Sequence, residues 1–167
     1  MPPDKTGIDF SNKIVEDENL NILSFEYFYN VAGVGIGDFN NDGKGNFVFQ
    51  DITDYSGINT TGKWASGVSI VDINQDGLQA IYVCFGGPNS AYKRANALYI
   101  NNGNNSFTDK AREYELADTG HSVQAVFFDY NKDNDLDMYF LTNISYEMSP
   151  YIGFIASSLP VKGFETG

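Results

Sequence analysis

Hydrophobic residues in the middle of this chain come in short runs of strand length, the first of them alternating with a period of two. Val68-Ser-Ile-Val71, Ala80-Ile-Tyr-Val-Cys-Phe85, Ala97-Leu-Tyr-Ile100 and Ser106-Phe-Thr108 are such runs. Turn-forming clusters, Gly86-Gly-Pro-Asn-Ser90 and Asn101-Asn-Gly-Asn-Asn105, separate them. Period two sends alternate side chains to opposite faces, and Gly, Asn and Pro punctuate, so the pattern predicts four antiparallel strands. After a longer connection it restarts at Val123-Gln-Ala-Val-Phe-Phe128. Four antiparallel strands followed by a restart are the anatomy of a propeller blade.

A polar phrase recurs beside these strands. It reads Asp38-Phe-Asn40-Asn-Asp42-Gly43, Asp72-Ile-Asn74-Gln-Asp76-Gly77 and Asp129-Tyr-Asn131-Lys-Asp133-Asn134. From Asp72 to Asp129 is 57 residues, room for a whole blade, whereas from Asp38 to Asp72 is only 34. Gly77 lies 26 residues before Gly103, but Gly43 lies 2 residues before the corresponding Gly45. The first unit therefore lacks about a hairpin of chain.

These spacings predict an all-β fold of two to three four-stranded antiparallel propeller-type blades, incomplete and not a closed ring by itself, since closure takes about four blades or more. Residues 1–32 read as a lead-in with an edge strand at 25–29. Residues 33–66 read as a truncated first blade, 67–122 as a full second blade, 123–143 as the start of a third and 144–167 as an irregular tail.

Oxygen-bearing side chains at alternate positions, followed by a residue that tolerates positive φ, can curl around one hard cation. Calcium suits them because it accepts six to eight oxygens in a flexible shell. In a nine-residue loop of this kind, positions one, three and five give side-chain oxygens, seven a carbonyl and nine a closing carboxylate. The third loop has the complete set: Asp129, Asn131, Asp133, the carbonyl of Asp135, and Asp137. The second has Asp72, Asn74 and Asp76, but Ala80 stands at position nine, which weakens it. The first has Asp38, Asn40 and Asp42, with Asn46 at position nine where the chain is shortened. The bland reading of each loop is a hydrogen-bonded Asx turn. An EF-hand is excluded, because position twelve is Phe49, Val83 or Phe140 and the flanks alternate as strands.

The 167-residue chain is 42% hydrophobic and 15% aromatic, and its net charge of −12 argues against a nucleic-acid or anionic-membrane partner. Its single cysteine, Cys84, excludes an intrachain disulfide and lies in an apolar run, as a buried thiol would. No run is long and apolar enough for a transmembrane helix. No apolar segment follows Met1 as in a signal peptide, and the sequence leaves export open.

The stretches Gly33-Val-Gly-Ile-Gly-Asp-Phe-Asn-Asn-Asp-Gly43 and Val126-Phe-Phe-Asp-Tyr-Asn-Lys-Asp-Asn-Asp-Leu-Asp137 resemble the FG-GAP/VCBS repeat, the calcium-loop blade of integrin-α-type propellers. Thr6-Gly-Ile-Asp-Phe10, Asn21-Ile-Leu23, Tyr27-Phe-Tyr-Asn30 and Thr119-Gly-His-Ser-Val-Gln124 resemble its UnbV/ASPIC-associated, cartilage-acidic-protein-like branch. The resemblance covers roughly residues 6–143. It implies an extracellular or cell-surface module that holds Ca2+ and binds a protein or carbohydrate, with further blades from the same or another chain. The short first blade, Ala80 and the unmatched tail depart from the family pattern.

Catalysis finds little footing. His121 is the only imidazole, and its neighbours Asp118 and Ser122 lie too close in sequence to face it as a triad. Trp64, Tyr92 and Lys93-Arg94 are candidates for a sugar or protein contact, packing being the simpler reading. The leading expectation is a calcium-binding interaction module and not an enzyme. The alternatives are an accessory or catalytic domain of a carbohydrate-active enzyme, or a degenerate structural fragment.

Overall fold

The computed structural model describes residues 7–8, 10, 13–25, 28–29, 33–44, 49–88, 90–143 and the backbone of 156–157. Its framework is β: α1 (Thr53–Ser56), β1 (Ala65–Val71), β2 (Ala80–Phe85), α2 (Ala91–Arg94), β3 (Ala97–Asn101), β4 (Phe107–Asp109), β5 (His121–Phe128), β6 (Asp137–Asn143) and β7 (Ala156–Ser157). The first four strands form one antiparallel sheet in the order β1-β2-β3-β4, and the last three form a second in the order β5-β6-β7. This is one whole four-stranded propeller-type blade beside part of another, without a closed ring among the described residues.

Period two explains the packing of the first sheet. Tyr82, Cys84 and Leu98 face the second sheet and join Ala125 and Phe140 in one core cluster. Val83, Phe85, Ala97 and Tyr99 face the other way, against a cluster that includes Phe107 and draws in Phe39, Ile58 and Val68. Because β2 is covered on both sides, Ala80–Phe85 is a continuous apolar run and not an alternating one. Burial pushes the Cys84 thiol up to about 12 and raises the Tyr82 phenol as well.

The two sheets meet through their leading strands, β1 and β5. Side chains bridge them: Ser66 Oγ donates to Ser122 O (2.6 Å), Ser69 Oγ to Ala125 O, and Gln124 Nε2 to Val68 O (3.2 Å). The approach is so close that a Cβ on Gly67 would lie 2.4 Å from Val123 O. Residues 33–37 repeat this relation one step earlier. Cβ atoms on Gly33 and Gly35 would meet Val68 N at 2.9 Å and Ile70 Cδ1 at 2.8 Å.

The repeat is therefore in register. Counting back four and two residues from each loop's first Asp gives Val34 and Ile36, Val68 and Ile70, Ala125 and Phe127. Val68 and Ile70 lie against Gly33 and Gly35, and Ala125 and Phe127 pack on the first sheet, whereas Val34 and Ile36 are 87% and 90% exposed. Even the bulge repeats, between Ala65 and Gly67 in β1 and between Ser122 and Gln124 in β5.

A buried polar network locks the blade. Asn96 is 2% exposed. Its Oδ1 accepts from Phe85 N (2.9 Å), and its Nδ2 donates to Tyr82 Oη (2.9 Å) and Ser122 Oγ (3.0 Å). Tyr82 Oη in turn donates to Leu116 O (2.9 Å). One side chain thus ties β2 to the β2–β3 connection and to β5.

Two sequence expectations need correction. The edge strand over residues 25–29 is replaced, where described, by a turn: Phe28 N donates to Phe25 O (3.0 Å), and Phe25 and Phe28 bury against Trp64. Aromatic alternation there reflects contact with one indole, not membership of a sheet. The tail beyond residue 143 is not wholly irregular, since Ala156–Ser157 pairs with Leu141 and Phe140 as a third strand. Residues 33–44, expected to open a truncated blade, form no strand of their own, and 45–48, with Asn46, lie outside the described residues.

Two substitutions test this packing. Asn96→Ala strips partners from a buried amide and two hydroxyls, so it should cost roughly 2–4 kcal/mol in urea unfolding. Gly67→Ala should cost roughly 1–3 kcal/mol by forcing β1 away from β5. Losses below about 0.5 kcal/mol for either, the level of neutral surface changes, would refute the packing described.

Candidate functional site: three aspartate loops

Each loop is built by the same internal hydrogen bonds. The first Asp of the loop accepts from the backbone N–H groups of positions five and six. For Asp38 the donors are Asp42 (3.3 Å) and Gly43 (2.7 Å); for Asp72, Asp76 (3.1 Å) and Gly77 (3.0 Å); for Asp129, Asp133 (3.2 Å) and Asn134 (3.1 Å). Position five accepts from position seven: Asp42 from Lys44, Asp76 from Leu78, Asp133 from Asp135. Position three turns its amide toward position five, so that Asn40, Asn74 and Asn131 donate to Asp42, Asp76 and Asp133. Short polar side chains bonding to nearby backbone are what drives such turns.

Backbone conformation repeats too. Position six is left-handed in all three, at Gly43, Gly77 and Asn134 (φ 67°, 84° and 71°). Position four is left-handed as well, at Asn41, Gln75 and Lys132 (φ 53°, 55° and 64°). The sequence signals the first of these, because Gly and Asn tolerate that region. It conceals the second, because Gln and Lys carry no such preference, and the hydrogen bonds to the first Asp impose the conformation.

The loops differ where the sequence says they should. Asp137 reaches back across the third loop and accepts from Tyr130 N (2.8 Å). Ala80 can do nothing comparable in the second. Asp133 has its carboxyl held below the ordinary value, chiefly by the N–H of Asp135 and then by the Asn131 amide.

The tertiary fold gathers the loops at one end of the blades. Gln75 Nε2, from the second loop, donates to Asn134 O of the third (2.7 Å). Asn101 Nδ2 donates to Phe39 O in the first (2.9 Å) and to Gln79 O behind the second (3.3 Å). Gln75, Asn101 and Gln79 carry no motif of their own and were not legible as site residues.

Among the described residues, no three acidic, histidine or cysteine side chains converge on one point. The carboxylates instead cap their own loops. Chemically, the set suits a hard cation, since every side-chain donor of the third loop is oxygen. Asn131 Oδ1 already faces the loop, where it accepts from Asp133 N (3.1 Å).

The candidate triad does not form. His121 Nδ1 faces Gly86 O at 3.2 Å, and Ser122 is fully buried with its hydroxyl bonded by Asn96. Among the described residues, no helix is long and apolar enough to cross a membrane.

The Asp133 shift has a testable sign. A lowered folded-state pKa stabilises the loop above the unfolded value and loses that contribution as pH falls through the lowered one. In calcium-free buffer the Asp135 amide resonance should therefore titrate with a midpoint below 3.8. A midpoint at or above that value would refute the cap.

Comparison with known proteins bears on the same region. No curated protein matches the chain. Residues 81–140 match the family model described as the FG-GAP-like repeat, a span that runs from β2 into β6 and takes in the third loop. That span of the chain is similar to an FG-GAP-like repeat.

Proposed function

We propose that this chain is a binding module of the β-propeller type whose aspartate loops hold calcium, the loop from Asp129 to Asp137 first. The observation that carries this reading is the complete oxygen set of that loop, with Asp137 already folded back over it. The loop's internal bonds preform its curl. Calcium would supply the positive charge that Asp129, Asp133 and Asp137 lack among themselves. The residues of the second loop would do the same with one carboxylate fewer, and ligand charge sets affinity. The first loop stands last, since its position nine is Asn46, which brings no carboxylate, and the chain that would carry it is shortened.

Sites with few carboxylates suit the millimolar calcium found outside cells. The resemblance of the chain to the UnbV/ASPIC-associated branch supports the same location, at a cell surface or beyond it. A role in binding fits the sheet-to-sheet architecture better than catalysis, because His121 and Ser122 are both committed to structural hydrogen bonds. The ligand would be a protein or a carbohydrate.

Calcium titration followed by calorimetry tests this. At a hundredfold excess over Kd, calcium should add about 2.7 kcal/mol and raise Tm by roughly 5–10 °C. Asp137→Ala should abolish most of that gain, and Asp72→Ala a smaller part. An unchanged Tm between EDTA and millimolar calcium would defeat the proposal; equal losses from the two variants would defeat the ranking of the loops.

A further inference from the structure

The units of this chain stack with one polarity. In each leading segment, residues four and two positions before the first Asp of the loop face the preceding unit, and the residues between and before them face the following one. Val68 and Ile70 thus lie against Gly33 and Gly35, and Gly67 lies against Val123 and Gln124 of β5. Two such contacts inside the chain leave one open face at each end of the stack.

At the front the open face holds Val34 and Ile36. At the rear it is the outer side of the second sheet, where Val126 (50% exposed) pairs across β5 and β6 with Tyr139 (41%). The repeat shows what such a face is built to meet. Tyr139 stands ten residues after the first Asp of its loop, as Tyr82 does, and Tyr130 stands one residue after it, as Ile73 does. Tyr82 and Ile73 are buried in the core shared with the second sheet, whereas Tyr130 is 78% exposed. All four belong to the side that meets a following unit, and among the described residues only the first sheet has one.

The loops carry the same asymmetry. Gln75, at position four of the second loop, donates to Asn134 O, at position six of the third. Position four of the third loop is the exposed Lys132, and position six of the first is Gly43. A first unit stacked behind the third would set Gly43 O and the carboxylates of Asp38 and Asp42 beside that lysine. Their attraction offsets part of the repulsion between two chains of net charge −12.

We propose that the chain associates with itself head to tail. Val126, Phe128 and Tyr139 of one copy seat on Val34 and Ile36 of the next, and Lys132 meets the next copy's first loop. A second copy fits because it continues the contact that already stacks the units, with the same polarity and with an apolar surface on either side. Val126 stands where the inner contacts have Gly35 and Ser69, so the copies pack side chain on side chain at a wider spacing. Front and rear are different surfaces, so the association is heterologous and makes a ring if the rotation closes and a filament if it does not. It does not depend on calcium in the loops.

Sedimentation of the full chain in EDTA, from about 10 µM to 1 mM, tests this. The weight-average mass should rise with concentration. Ile36→Asp disables only the front and Val126→Asp only the rear, so each variant alone should stay monomeric. An equimolar mixture of the two should form a dimer and stop there, and that pairing also reports that both variants are folded. Lys132→Glu should weaken association by about two- to fivefold. A wild-type monomer at every concentration would overturn the proposal and leave the two faces to an unrelated partner. Dimers of either variant alone would show a symmetric contact and overturn it too, as would a mixture that stays monomeric.

Discussion

Strands β1 and β5 run side by side without sharing a hydrogen-bonded ladder, and the fold depends on how they manage it. Each is the outer strand of its own sheet, paired on one side only, so contact between them comes from side chains small enough or polar enough to fit. Gly67 supplies the space, and Ser66, Ser69 and Gln124 reach the neighbouring carbonyls. Once the leading strands are this close, Tyr82 and Phe140 from different sheets share one core, and Phe127 packs edge-on to Tyr82 at 5.4 Å between ring centres. The same solution appears between residues 33–37 and β1, where glycine at every second position does what Gly67 does later.

Close strand approach also accounts for the positions of the loops. Each loop begins directly after the leading segment of its unit, so neighbouring segments deliver neighbouring loops. Gln75 then spans from one to the next. Acidic side chains are thereby concentrated at one end of the molecule.

The Asn96 network contributes in another way. Buried polar groups are costly unless every one is satisfied, and hydrophobic packing alone would permit several arrangements of the β2–β3 connection. Asn96 accepts only one: its carbonyl oxygen must meet Phe85 N–H while its amide meets both Tyr82 and Ser122. Tyr92 sits on the connection fixed by that arrangement.

Local sequence determined a good deal. Short apolar runs between turn residues located β2, β3 and β5 to within two residues, because such a run is written in consecutive positions. The Asp-x-Asn-x-Asp phrase located all three loops, because Asx turns are made of neighbours, and Gly or Asn at position six marked the left-handed residue. What failed was what neighbours do not determine. Phe25 and Phe28 read as strand residues until Trp64, far along the chain, is placed against them. Lys132 gives no hint of a positive φ that only the carboxylate of Asp129 imposes. Asn96 looks like one more residue of an Asn-rich chain until three elements converge on it. Whether glycines 33, 35 and 37 end strands or admit another strand was settled by what lies opposite them. A period or a turn is a property of the chain itself, whereas a close approach needs two segments, and only the folded molecule brings the second.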